Sequence, residues 1–165
     1  MEEPPAVSNI NDILVAVAGI QKGITLGIPA TAGFPTSVQA AYPYMRWDGS
    51  PQECPFFMNG VKGGPTSFMA TGVLQQVDTD IEMFLCILPW ESGQTLEGNL
   101  EYVLRWRDAV FTAFAQALRL GSLPPVLIAT VTAWDMLHLE YGSGDFAALK
   151  FVLSVREAFP LTVGS

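Results

Sequence analysis

The only histidine of the chain, His138, is the first residue to consider for chemistry. Asp135 and Glu140 lie near it in sequence and could orient its imidazole, and serines are available for a Ser-His-Asp arrangement. The chain has no Gly-x-Ser-x-Gly motif, however, and no predicted strand-to-helix turn presents a nucleophile. We therefore interpret His138 as a surface or sheet-lining residue, and a hydrolase that uses it is a remote alternative.

The other candidate groups also give no catalytic signature. The run Gly60-Val61-Lys62-Gly63-Gly64 is rich in glycine, but it lacks the Walker spacing and no helical pattern follows it. Asp78 and Asp80 fall in a predicted turn, where carboxylates are usually solvated. Cys54 and Cys86 are far apart and have no partner histidines, so they predict two reduced thiols. We expect no catalytic residue, no metal and no cofactor.

Composition indicates a single domain, residues 1–165, with much apolar surface to cover. Half of the 165 residues are hydrophobic, only 15% are charged, and mean hydropathy is +0.32. No apolar run reaches the roughly 18 residues of a membrane span, and Met1-Glu2-Glu3-Pro4-Pro5 lacks the basic region of a signal peptide. We therefore expect a soluble protein, assembled in the cytoplasm without a membrane, that hides apolar surface in an oligomer.

The net charge is −8 and the isoelectric point is near 4.4. Proteins that grip phosphates carry the opposite charge, so tight nucleic-acid binding is excluded as a function. Acidity favours solubility, and it also suits a surface past which a polyanion slides without sticking.

Apolar spacing predicts a long amphipathic helix over Leu96–Leu120, stopped by Gly121. Its core stripe is Leu100, Val103, Leu104, Val110, Phe111, Phe114 and Leu118. A flanking strip is formed by Tyr102, Trp106, Ala109, Ala113 and Ala117, and either another chain or loops of the same domain cover it. Arg107 should pair with a carboxylate or extend towards solvent.

A shorter helix, from Ile10 to about Gln21, precedes an irregular arm over residues 22–67 that is rich in glycine and proline. Aromatic residues are interleaved in this arm: Phe34, Tyr42, Tyr44, Trp47, Phe56 and Phe57. We expect an ordered arm with a short strand near Ser37–Tyr44, whose aromatic side chains either fold back on the domain or dock on a neighbouring subunit.

Alternating segments predict two antiparallel hairpins. The first joins Phe68–Gln76 to Ile81–Leu88 through a turn at residues 77–80, and its second strand becomes apolar on both faces towards its end. The second joins Trp134–Tyr141 to Phe146–Glu157, after a separate apolar run at Val126–Val131. The predicted fold class is α+β, with a mainly antiparallel sheet of two hairpins packed against one long and one short helix.

This order of elements resembles the tail terminator, or tail completion, proteins of long-tailed bacteriophages. The resemblance spans nearly the whole chain. It rests on the first helix leading into Gly-Ile-Thr-Leu-Gly-Ile, on Tyr42-Pro43-Tyr44, Cys54-Pro55-Phe56-Phe57, the hairpin from Gly72-Val73-Leu74 to Phe84-Leu85-Cys86, the helix ending at Leu118 and Gly121, and the strand Leu149–Val155. Phage neck and tail-tube proteins share parts of this plan.

The resemblance implies a virion protein at the head–tail interface. Such a protein forms a ring, usually a hexamer, that caps the tail tube, ends its elongation and offers a docking surface to the head connector, while DNA passes through without specific binding. The expected subunit or partner contacts are Tyr42, Tyr44, Trp47, Phe56, Phe57, Phe68, Tyr102 and Trp106. The expected channel-facing carboxylates are Asp78, Asp80 and Glu82.

A small-ligand binding module is a further alternative, because aromatic residues could line an apolar pocket. Its lining would be Trp47, Phe56, Phe57 and Trp134. This alternative predicts a monomer with a closed cavity, whereas the ring predicts exposed aromatic residues that become covered on assembly.

Overall fold

The computed structural model describes residues 10–27, 34–45, 53–63, 66–68, 74–90, 99–123, 126–141 and 144–160. These parts form two helices and six strands, which confirms the predicted α+β class with a mainly antiparallel sheet. In chain order they are α1 (Ile10–Lys22), β1 (Ala40–Tyr42), β2 (Phe56–Gly63), β3 (Thr66–Phe68), β4 (Leu74–Pro89), α2 (Leu100–Ala115), β5 (Val126–Tyr141) and β6 (Gly144–Pro160). Neither described helix is long and apolar enough to cross a membrane.

The sheet is built on the pairing of β4 with β6. Its order is β1-β2-β4-β6-β5, with β3 also paired to β4. The β4–β6 ladder runs from Leu74 opposite Pro160 to Pro89 opposite Phe146, and β5 pairs with β6 down to Tyr141 opposite Gly144. Only the β1–β2 pair is parallel. In the described part of the sheet, β5 therefore has a neighbouring strand on one side only.

The strands β4, β5 and β6 are much longer than the helices that cover them. The 17 residues of β6 extend over roughly 55 Å, whereas the 16 residues of α2 rise only about 24 Å. The 13-residue α1 is shorter still. The two helices therefore cover one part of one face, and the rest of the sheet needs another cover or remains open.

The main core lies between the helices and alternate residues of the central strands. The predicted alternation is confirmed, because every second residue from Ile81 to Ile87 and from Leu149 to Val155 is fully buried on this face. The helix α2 contributes Val103, Trp106, Val110 and Phe114. Its buried stripe is thus rotated from the predicted one: Trp106 is in the core, while Leu100 and Leu118 are exposed.

A second, smaller core lies on the opposite face of the sheet. It consists of Phe56, Met58, Cys86, Phe146 and Ala148, with half-buried residues of the arm packed against it. The prediction that β4 becomes buried on both faces towards its end is therefore confirmed. The arm is also more regular than predicted, because it contains the whole of β2 in addition to the short strand expected near Ser37–Tyr44.

Two predicted strand breaks are wrong. Residues 77–80 are not a turn, because β4 continues through them and pairs with β6 at every step. The connection between β3 and β4 falls instead at residues 69–73, outside the described residues. Similarly, β5 is one 16-residue strand, and a register shift at Val131/Ala133 lies where the gap between Val131 and Trp134 was predicted. A bulge accommodates one extra residue without ending the strand.

The long helix ends earlier than predicted at its C-terminus, which is the end that the structure describes. It ends at Ala115, and the following turns bond Leu120 N to Ala117 O and Ala129 N to Leu118 O. Residues 118–123 are thereby tied to β5. The prediction that Gly121 stops the helix is therefore wrong; Gly121 lies in the turns that follow the helix, where it adopts a φ of 77°, a value that favours glycine.

A buried pair of amides joins the first helix to the sheet. Gln21 Nε2 donates to Asn59 Oδ1 at 2.7 Å, and Asn59 Nδ2 donates to Gln21 Oε1 at 2.8 Å and to Tyr42 O at 2.8 Å. Both side chains are almost completely buried. These bonds fix α1, β1 and β2 relative to one another, since each buried polar group depends on the others for its partner.

Replacing Asn59 with alanine should destabilise the protein by about 1–3 kcal/mol, because it leaves the buried Gln21 amide without partners. Chemical denaturation measures this cost. The exposed Gln116→Ala is the control and should change stability by less than about 0.5 kcal/mol. A cycle of Asn59→Ala and Gln21→Ala that gives strictly additive effects would contradict the coupling of the two amides.

Glu157 is a buried carboxylate on the helix-facing side of β6, and it forms no ion pair with a described residue. Burial raises the pKa of this carboxyl above its ordinary value. The folded chain therefore keeps the proton at pH values where the unfolded chain has lost it, so this group's contribution to stability falls as the pH rises from about 4.5 through the raised pKa.

Glu157→Gln should consequently stabilise the protein at pH 7 and have a smaller effect at pH 4. The measurement is the difference in free energy of unfolding between variant and wild type at both pH values, which cancels the titration of the other carboxylates. A difference that stays constant with pH, or that favours the wild type at pH 7, contradicts the assignment.

Candidate functional site

The imidazole of His138 lies near the end of the β5–β6 hairpin. It stacks on Trp90 with ring centroids 4.4 Å apart and planes inclined by 19°. Its Nε2 is 3.7 Å from Asp145 Oδ1, and Glu140 completes an exposed group of three. Asp135, three residues away on a strand, lies on the opposite face and cannot orient the ring. No described serine hydrogen-bonds to His138, so the described residues do not form a Ser-His-Asp triad.

Neither cysteine is suited to act as a nucleophile. Both thiols are free, Cys86 is buried and Cys54 is half-buried. Burial raises the pKa of Cys54 to about 12. Burial also raises the pKa of Cys86, and the nearby Cys54 adds a smaller contribution in the same direction. Both groups are therefore protonated thiols at neutral pH, whereas the thiolate is the reactive form.

The predicted interface role is wrong for three of the aromatic residues. Phe56, Phe57 and Trp106 are completely buried within the chain, so they present no surface to a partner. Phe56 and Phe57 are neighbours on β2 and enter the two different cores. The indole N–H of Trp106 has no hydrogen-bond partner among the described residues. These side chains stabilise the subunit itself.

The remaining aromatic residues differ in exposure. Tyr44 is 61% exposed and stays available for a contact. Tyr42 is half-buried and packs edge-on against Phe56. Tyr102 is half-buried beneath the arm, where its ring stacks on Phe34 at 4.7 Å and its hydroxyl donates to Pro35 O at 2.6 Å. Loops of the same domain thus cover the flanking strip of α2 at this point. Trp47 and the side chain of Phe68 lie outside the described residues.

The described residues do not form the aromatic pocket expected of a small-ligand module. Phe56 and Phe57 point to opposite faces of the sheet. Trp134 lies on β5, where the guanidinium carbon of Arg107 is 4.8 Å from its ring centroid. Arg107 also donates to Asp108 Oδ1 from both Nε and an Nη nitrogen, which confirms the predicted carboxylate partner. Trp47 is outside the described residues.

An open groove of about 660 Å³ lies between residues 23–26 and the outer side of α2. Its charged lining residues, Arg105 and Asp108, already form ion pairs with Glu101 and Arg107. The polar groups therefore balance one another along α2 and do not converge on a common ligand position.

The three predicted channel carboxylates share one face of β4, opposite the helices. Asp78 forms a two-point ion pair with Arg156, at 3.0 and 3.3 Å, and this pairing raises the pKa of Arg156. Glu82 pairs with Lys150 at 3.2 Å. Asp80 lies between them, opposite Ser154. This strip is therefore less acidic than its carboxylates alone would suggest.

The most unusual surface is the free edge of β5. Residues 132–136 are all exposed, so both faces of the strand reach solvent there. Trp134 and Met136 are 37% and 38% exposed. The start of the edge is occupied, because Ala129 N donates to Leu118 O. From Thr132 to Tyr141 no described strand pairs with the outer side of β5.

This edge also lacks most of the features that prevent strands from pairing with other chains. Proteins usually protect an edge with lysine, proline, bulges or inward-pointing charges. The 16 residues of β5 contain no lysine, arginine, proline or glycine, their carboxylates are limited to Asp135 and Glu140, and both bulges precede Trp134. The sequence carries this signal, but its prediction of two separate strands in place of β5 hides the length of the edge.

Comparison with known protein families and with curated proteins finds no match to this chain. The fold, the surfaces described above and the resemblance of the element order are therefore the grounds on which a function can be proposed.

Alkylation tests the chemical state of the two cysteines. With iodoacetamide at pH 8, both should react at least about tenfold more slowly in the folded than in the denatured protein, because burial both shields the sulfur and keeps it protonated. Mass spectrometry of timed samples gives the rates. Equal rates in both states would contradict the buried, high-pKa thiols.

Proposed function

We propose that this protein is a tail terminator subunit of a long-tailed bacteriophage. In this proposal, copies assemble into a ring, which the family resemblance implies is a hexamer, that caps the tail tube, ends its elongation and provides the docking surface for the head connector. The protein acts as a structural part of the virion and not as an enzyme. The free edge of β5 is the observation that carries the proposal.

Strand pairing between subunits explains why such an edge is unprotected. An extended strand added to the Thr132–Tyr141 edge would satisfy its backbone hydrogen bonds and cover Trp134 and Met136. In a closed ring every subunit uses one surface to contact a different surface of the next subunit. The β5 edge would therefore meet another part of the neighbouring copy. Pairing of β5 with β5 would give a two-fold dimer instead.

The acidic strip on β4 fits passage of DNA better than binding of DNA. Asp78 and Glu82 are paired with cations, and Asp80 lies between them without an opposing cation in the described sheet. A weakly acidic wall does not attract phosphates. We propose that this face lines the channel, and the chain's net charge of −8 agrees with that role.

Electron microscopy of the full chain mixed with tail tubes of the phage that encodes it tests the function. A terminator should form a ring at one tube end and stop further growth when tube protein is added. A neck protein would bind the connector and leave tube growth unchanged, and a tail-tube protein would itself polymerise. Either of these outcomes, or the absence of a ring, would replace the proposed function.

Met136→Lys should weaken subunit association by about tenfold or more, because a charge on the edge opposes strand pairing. Sedimentation velocity measures self-association, and the fraction of capped tubes measures assembly on the tube. Val15→Lys is the matched control, since Val15 is an exposed apolar residue on α1, away from this edge. Equal assembly by both variants would show that β5 is not the contact.

A further inference from the structure

We propose that His138, Glu140 and Asp145 form a binding site for a divalent transition metal such as Zn²⁺. Each residue offers one ligand atom, and the three atoms lie within 4.8 Å of one another. This inference does not rest on the proposed function, because all three ligands belong to one hairpin of a single subunit, although His138 and Glu140 lie on the strand whose edge the proposed ring would use.

The ligand set suits zinc and its neighbours in the first transition series. Imidazole nitrogen is a good ligand for these ions, and carboxylates complete many such sites. Calcium and magnesium prefer oxygen ligands alone, so the histidine argues against them. In a tetrahedral site with bonds of about 2.1 Å, neighbouring ligand atoms are about 3.4 Å apart. The distance from His138 Nε2 to Asp145 Oδ1 is 3.7 Å, which requires only a small closure.

The hairpin holds the three ligands on one side of the sheet. His138 and Glu140 are two residues apart on β5 and therefore share a face. Asp145 lies directly opposite Glu140 on β6. Trp90 orients the imidazole by stacking on it. The backbone N–H of Trp90 also donates to Asp145 O at 2.7 Å. Two strands and the residue after β4 thus converge on this position.

The arrangement is unfavourable without a cation. Two carboxylates directly opposite each other on paired strands repel, and this repulsion destabilises the pairing. No described lysine or arginine forms an ion pair with Glu140 or Asp145. A divalent ion between them removes the repulsion. Because the site is exposed, it leaves coordination positions open to water or to a ligand from another molecule.

The site can be tested on the untagged full chain, since His138 is the only histidine. Isothermal titration with Zn²⁺ should give one site per chain. Losing a group that merely orients a metal ligand weakens binding by about 10–100-fold, so His138→Ala should weaken it at least as much. Glu140→Gln and Asp145→Asn should also weaken it. The single imidazole Hε1 proton signal should shift on addition of Zn²⁺.

Asp135→Asn is the matched control, because it removes a carboxylate from the same strand on the opposite face. It should bind Zn²⁺ like the wild type. Circular dichroism establishes that all four variants are folded. The proposal is overturned if the wild type binds Zn²⁺ no more tightly than His138→Ala, if the imidazole signal does not move, or if Asp135→Asn weakens binding as much as the three ligand variants.

Discussion

The pairing of β4 with β6 along their whole length is the constraint on which the rest of the structure depends. It produces a two-stranded frame that is far longer than either helix, so the helices cover only part of one face. The second core around Phe56 covers part of the other face. Because β5 pairs with β6 over nearly the same length, it extends beyond what the helices cover. The exposed edge is thus a consequence of strand length and not of a local defect.

The same pairing explains which sequence-based predictions succeeded. Alternation alone was enough to place the buried faces of β4 and β6, because a period of two is independent of where a strand begins or ends. The turn predicted at residues 77–80 failed because Asp, Thr and Asp are typical of turns. The contact that stabilises the extended conformation is not local in sequence, because Asp78 pairs with Arg156, which is 78 residues away in the chain. Such cross-strand contacts outweigh the local turn propensity of these residues.

The candidate surfaces were less predictable than the fold, for a related reason. Sequence could show that the arm is rich in aromatic residues, but not which of them fill a core; Phe56 and Phe57 are adjacent and serve two different cores. Around His138 the sequence neighbours Asp135 and Glu140 were equally plausible, and strand alternation separates them. Asp145 and Trp90 approach the imidazole only because the hairpin closes and β4 ends beside it. No local sequence pattern predicts these contacts with the imidazole.

The apolar composition therefore supports assembly less directly than it first suggests. Much of the hydrophobic content is used within the subunit, since a sheet with cores on both faces buries more side chains than a sheet covered on one face only. Among the described residues, Thr132–Met136 of β5 is the longest run in which exposed side chains coincide with a strand edge that no described strand pairs with. An exposed apolar side chain alone is ordinary on a protein surface. An apolar strand with a free edge has a specific complement, another strand, and that is the physical basis on which we propose that this protein works in an assembly.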